Sequence, residues 1–125
     1  MLTDEEIKTV IKFCQDALRV NVMSAGTVRS AMNVSIARWK VGELLRRHGV
    51  SYQKIASSMK MLSHSPILIG VEKLRSSNRL MREYLALEYL WRRHLKLNYS
   101  ATLNQIHFFF DVHGRECEQG AVPLE

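Results

Sequence analysis

The sequence predicts an all-α fold of five or six helices. Three observations carry that prediction. Apolar residues recur at helical spacing along most of the chain. Helix start and stop signals bracket those stretches. No alternating strand pattern of any length occurs, and Phe108-Phe109-Phe110 is the one ambiguous run.

Thr3 to Glu6 reads as a capping box that opens the first helix. Ile7, Val10, Ile11, Cys14, Ala17 and Leu18 continue its apolar stripe to about residue 19. Residues 20–30, with Asn21, Ser24, Gly26 and Ser30, read as a loop. A second helix is expected over 31–48, with Ile36, Val41, Leu44 and Leu45 facing inward. Arg46-Arg47-His48-Gly49 ends it, cations lying against the negative dipole end before the glycine stop. Ser51 is an N-cap for a short helix over Tyr52–Ser58, and Met59–Ser63 is a turn. Ser63 or Ser65 is expected to cap the next helix, with Pro66 in its first turn. From there to Leu97 runs one long helix or two, with Ser76-Ser77-Asn78 as the place to split. Asn98-Tyr99-Ser100 reads as a turn, and Ala101–Phe110 as a last helix.

With 125 residues, 46% apolar and 24% charged, the chain can bury one core without metal or disulfide. Its net charge of +6 points to an anionic partner. The charge is segregated: residues 19–60 carry eight Lys/Arg against one acid, and 61–96 carry seven against three. Both ends are mildly acidic, so the basic charge lies in the middle, as a phosphate-binding surface requires. Cys14 and Cys117 are too few and too far apart for a disulfide framework, and Cys14 sits on the core stripe. No apolar run approaches the roughly 18 residues of a spanning helix, and the acidic start is unlike a signal peptide. The expected compartment is the cytoplasm, with no membrane partner.

The stretch from Val50 to Leu74 holds a short helix, a turn and a longer helix that starts with small polar residues. That is helix-turn-helix patterning, in which the second helix enters the major groove with its leading residues at base edges. Ser63, His64 and Ser65 are compact hydrogen-bonding groups suited to that task. The helix N-terminus adds attraction for phosphate.

Ser51-Tyr52-Gln53-Lys54-Ile55-Ala56 through Ser63-His64-Ser65-Pro66-Ile67 resembles the C-terminal DNA-binding domain (domain IV) of the bacterial replication initiator DnaA. The resemblance extends back to about Thr9, with a Trp-repressor-like helix-turn-helix as the implied fold. It implies that His64 and Ser65 read major-groove bases, that Arg29 enters the adjacent minor groove, and that Lys73 holds phosphate. Arg38 and Arg46 match family arginines only with a one-residue insertion. Leu62-Ser63 stand where the family has Arg-Asp, and Pro66 where it has a second Thr, which implies a changed or relaxed target specificity. A Gly-x-x-x-x-Gly-Lys loop does not occur, so ATP-driven origin opening is not expected of this chain.

Residues 1–97 are therefore expected to form a helical DNA-binding domain with its helix-turn-helix at about 51–75, and 98–125 a C-terminal extension. The expected function is sequence-specific binding of double-stranded DNA, in replication initiation or its control or in transcriptional regulation. A phage or mobile element is a natural home for such a detached domain. The expected site is Arg29, Lys54, Lys60, Ser63, His64, Ser65 and Lys73. Neither cofactor, metal nor catalysis is expected: His113-x-x-x-Cys117 has ligand-like spacing but no second pair. Plainer readings stand beside these: His64 as a capping or half-buried histidine, Arg29 as a solvated loop residue, Arg46 and Arg47 as helix-end charges. Arg92-Arg93-His94-Lys96 reads as a helix end or a second phosphate patch. The alternative function is a helical adaptor for another protein, favoured by Phe108–Phe110. A homodimer through residues 76–110 is also compatible with the pattern.

Overall fold

The computed structural model describes residues 2–27 and 29–98. They form five α-helices and no strand: α1 (Asp4–Leu18), α2 (Ala31–Arg47), α3 (Tyr52–Ser58), α4 (Ser65–Ser76) and α5 (Asn78–Asn98). The expected Ala101–Phe110 helix, the turn after Asn98 and the residue 98–125 extension lie outside the described residues, apart from Asn98 itself.

Local chemistry sets the helix ends. Thr3 and Glu6 close the capping box at α1: the Glu6 amide donates to Thr3 Oγ1 at 3.2 Å, and the Thr3 amide to Glu6 Oε1 at 2.8 Å. Ser51 caps α3 by accepting from the Lys54 amide. The long helix does split where Ser76-Ser77-Asn78 suggested. Ser77 is extended, and its hydroxyl accepts from the Leu80 amide at 3.2 Å to start α5.

Three helices end in left-handed turns. After α2, Gly49 takes φ 86° while its amide reaches Arg46 and that of Val50 reaches Leu45. After α3, Lys60 takes φ 59° with the same pattern, its amide bonding Ser57 and that of Met61 bonding Ala56. After α1, Arg19 takes φ 58°. Glycine adopts this conformation freely, whereas a residue with a Cβ is strained by about 1–2 kcal/mol.

The core lies around α2, which packs against all four other helices. Ile7, Val10, Ile11 and Cys14 of α1 are buried, while Ala17 is exposed and Leu18 half-buried. Val41, Leu44 and Leu45 of α2 meet Ile55, Ile67, Val71 and Leu74 in one cluster. Each fully buried aliphatic side chain contributes roughly 1.5–3 kcal/mol. The inward face of α5 is Leu80, Tyr84, Leu87, Glu88, Trp91 and Leu95. Leu90, on the same helix, is 47% exposed.

Two glycines let α2 and α4 approach closely. A Cβ on Gly42 would press on Ile67 at 3.2 Å. Gly70 leaves the space that the Trp39 ring occupies. The same contact is tied by charge. Glu43 is 1% exposed and accepts from Arg47 Nε at 2.7 Å and from Arg75 Nε at 2.9 Å. Arg47 also reaches Glu88 at 3.4 Å and lies over the Tyr84 ring. Arg46 donates to the Val50 carbonyl and covers Tyr52. Both arginines thus knit the core together rather than only complementing the α2 dipole.

Behind this network, Trp91 Nε1 donates to His48 Nε2 at 3.0 Å. Burial pushes the His48 imidazole down to about 4, so it is neutral and accepts through Nε2.

Candidate nucleic-acid interface

α3 and α4 pack against each other and against α2, leaving α4 with one buried and one open face. Ile67, Gly70, Val71 and Leu74 turn inward. Ser65, Pro66, Ile69, Glu72, Lys73 and Ser76 are exposed. The Glu43–Arg75 bond and the Trp39–Gly70 contact hold this element on α2, so its open face is presented by a rigid support.

The leading edge of α4 differs from expectation in its capping. His64, not Ser63 or Ser65, occupies the N-cap position, and its side chain makes no cap bond. Starting the helix at Ser65 places Ser63 one residue too early to reach the N2 or N3 amide. Its hydroxyl instead accepts from the Ser65 amide at 3.2 Å. Pro66 has no N–H, and the Ile67 and Leu68 amides both bond the His64 carbonyl. The first-turn donors are therefore taken or missing. Any anion attraction there comes from the helix dipole and neighbouring cations, not from open amides.

Four expected site residues lie within the six-residue stretch 60–65 across the turn and the α4 start: Lys60, Ser63 and Ser65 are exposed, and His64 is half-buried. Lys73 lies two turns further along, exposed, with Nζ 5.9 Å from the Trp39 ring centre. Lys54 is exposed on α3, but its ammonium pairs with Asp4 at 2.6 Å, so part of its charge is already matched. The same contact holds the Asp4 carboxyl below its ordinary range. Arg29 is exposed just before α2. Arg38 donates to the Val22 carbonyl at 2.8 Å and thereby pins the loop that carries Arg29.

Reading the sequence missed two features of this region. One is the buried Glu43 clamp that seats α4; its signal was the helical i,i+4 pair Glu43/Arg47. The other is the apolar part of the open face. Leu62, at the turn, is fully exposed, and Ile69 is 50% exposed.

A separate open groove of about 420 Å³ lies between α1 and α5, lined by Phe13, Asp16, Ala17, Leu90, Arg93 and His94. Among the described residues no group of three His, Cys, Asp or Glu could hold a metal ion. None of their helices is long and apolar enough to cross a membrane. The His113/Cys117 pair and the Phe108–Phe110 run lie outside the described residues. No family model, curated protein or solved structure matches the chain.

Proposed function

We propose that this chain is a sequence-specific duplex-DNA-binding protein acting in replication initiation or its control, or in transcriptional regulation. One observation supports this most: a helix held on α2 by the Glu43–Arg75 bond, whose leading edge carries exposed Ser63 and Ser65 and half-buried His64, flanked by Lys60 and Lys73, neither paired to an acid among the described residues. In this reading α4 lies in the major groove with that edge at the bases. Lys60 and Lys73 meet phosphates, Lys54 assists, and Arg29 enters the adjacent minor groove. Lys60 holds a left-handed conformation that glycine would hold without strain. A left-handed non-glycine residue beside a candidate site is consistent with a role for its side chain.

The test is selection from a random duplex pool with wild type and His64→Ala. Because the His64 side chain makes no cap bond, the substitution removes no helix cap. Loss of preference at one or two base pairs, with roughly tenfold weaker binding to the wild-type site, is expected. An unchanged motif contradicts the assignment.

The α1/α5 groove, with Leu90 half-exposed in it, favours a second reading: a helical adaptor for another protein or a second copy. Capture of a partner that is lost in Leu90→Glu but kept in His64→Ala supports it.

A further inference from the structure

The open face of α4 is only partly polar. Ser65, Ile69, Glu72 and Ser76 fall at i, i+4, i+7 and i+11, and so form one line along the side opposite Ile67, Val71 and Leu74. Pro66 and Lys73 flank that line on one side. Ile69 is in the middle of the face, β-branched and, among the described residues, half-exposed.

We propose that the second turn of α4 reads thymine, with Ile69 and Pro66 packing on C5-methyl groups in the major groove. This rests on the duplex-DNA reading above and adds to it the base that the site prefers. The major groove offers one apolar group, the thymine methyl, and aliphatic side chains recognise it by contact. Pro66 and Ile69 are three residues apart, a rise of about 4.5 Å along the helix. Neighbouring base pairs are about 3.4 Å apart, so the two side chains can meet successive steps. Charge complementarity commits the face to nucleic acid. Exposed Lys60 precedes the apolar strip and exposed Lys73 borders it, and neither has an acid partner among the described residues. Glu72, on the same line, disfavours a phosphate at the strip's centre and keeps that part of the helix over base edges. The polar leading edge of Ser63, His64 and Ser65 then reads hydrogen-bonding groups, and the turn behind it reads methyls.

The experiment uses the whole chain and the duplex enriched from a random pool. Each thymine in the enriched motif is replaced in turn by deoxyuridine, which removes the methyl and keeps every hydrogen-bonding group. Affinity is measured for wild type and for Ile69→Ala, an exposed substitution that raises helix propensity. Wild type should lose about fourfold at one or two adjacent positions, the effect of one buried methyl. Ile69→Ala should bind the thymine and uracil forms equally at the position Ile69 covers. A motif without thymine, uracil tolerated everywhere by wild type, or unchanged uracil sensitivity in Ile69→Ala overturns thymine reading while leaving DNA binding in place. No enrichment of any duplex overturns both, and leaves the apolar strip to a protein partner.

Discussion

Replacing Glu43 with glutamine removes one charge from the seat of α4 and nothing from its shape. In the wild type this carboxylate is almost fully enclosed and accepts from Arg47 at 2.7 Å and Arg75 at 2.9 Å. Breaking a buried pair by removing one partner typically destabilises by about 3–5 kcal/mol, because the remaining charge stays uncompensated. Two features soften that here. Glutamine keeps one acceptor oxygen, and Arg47 keeps Glu88 at 3.4 Å. The lower end, about 3 kcal/mol, is therefore expected, against a total of roughly 5–15 kcal/mol for a domain. At about 4–8 °C per kcal/mol for this size, the melting temperature should fall by roughly 12–24 °C. Arg75→Gln leaves Glu43 its 2.7 Å bond to Arg47 and removes only a 48% exposed partner, so it should lower stability by about 1 kcal/mol. Urea unfolding of the three proteins, followed by circular dichroism, measures both differences. A Glu43→Gln loss below about 1 kcal/mol, or equal losses for the two variants, would refute the claim that a buried carboxylate anchors α4.

Two further consequences concern pH and the turn. His48 is held at about 4 by burial, against 6.5 when exposed. Between those values the unfolded chain takes up a proton that the folded chain refuses, so this contribution to stability is lost as pH falls from 6.5 toward 4. It amounts to about 3 kcal/mol at the lower limit. Burial raises the Glu88 carboxyl, which acts in the opposite sense as pH falls. The difference in stability between wild type and His48→Phe isolates the histidine, and a difference constant from pH 7 to pH 4.5 would remove it as the cause. Lys60→Gly should stabilise the fold by up to about 1 kcal/mol by relieving the left-handed turn, while weakening duplex binding; stabilisation with affinity unchanged would leave Lys60 without a role at the interface.

The helix boundaries were legible because their signals are local. The Thr3/Glu6 box, the Ser51 cap, the Gly49 stop and the Ser77 break each act within a few residues, and each sets an end where the spacing predicted it. What escaped the sequence depends on distant partners. Glu43 and Glu88 look like surface acids until Arg47 and Arg75 are brought to them across 32 to 41 residues of chain. Tyr84 interrupts an apolar stripe in sequence but is wholly buried against Arg47. The start of α4 was misplaced by one residue because Ser63, His64 and Ser65 compete for the cap. Position relative to Pro66 decides the outcome, not propensity alone. The polar leading edge itself was readable from sequence; the exposure of Leu62 and Ile69 beside it was not, since a large aliphatic residue is read as core by default.

The most direct test of the central claim is duplex affinity as a function of salt. Three phosphate contacts from Lys54, Lys60 and Lys73 give a slope near −2.7 in log K against log salt, so raising salt from about 50 to 200 mM should weaken binding by about 40-fold. If Asp4 keeps Lys54 from the duplex, two contacts remain and the loss is about 12-fold. Binding that changes less than about twofold across that range, or no duplex binding at low salt, contradicts an interface built on these lysines.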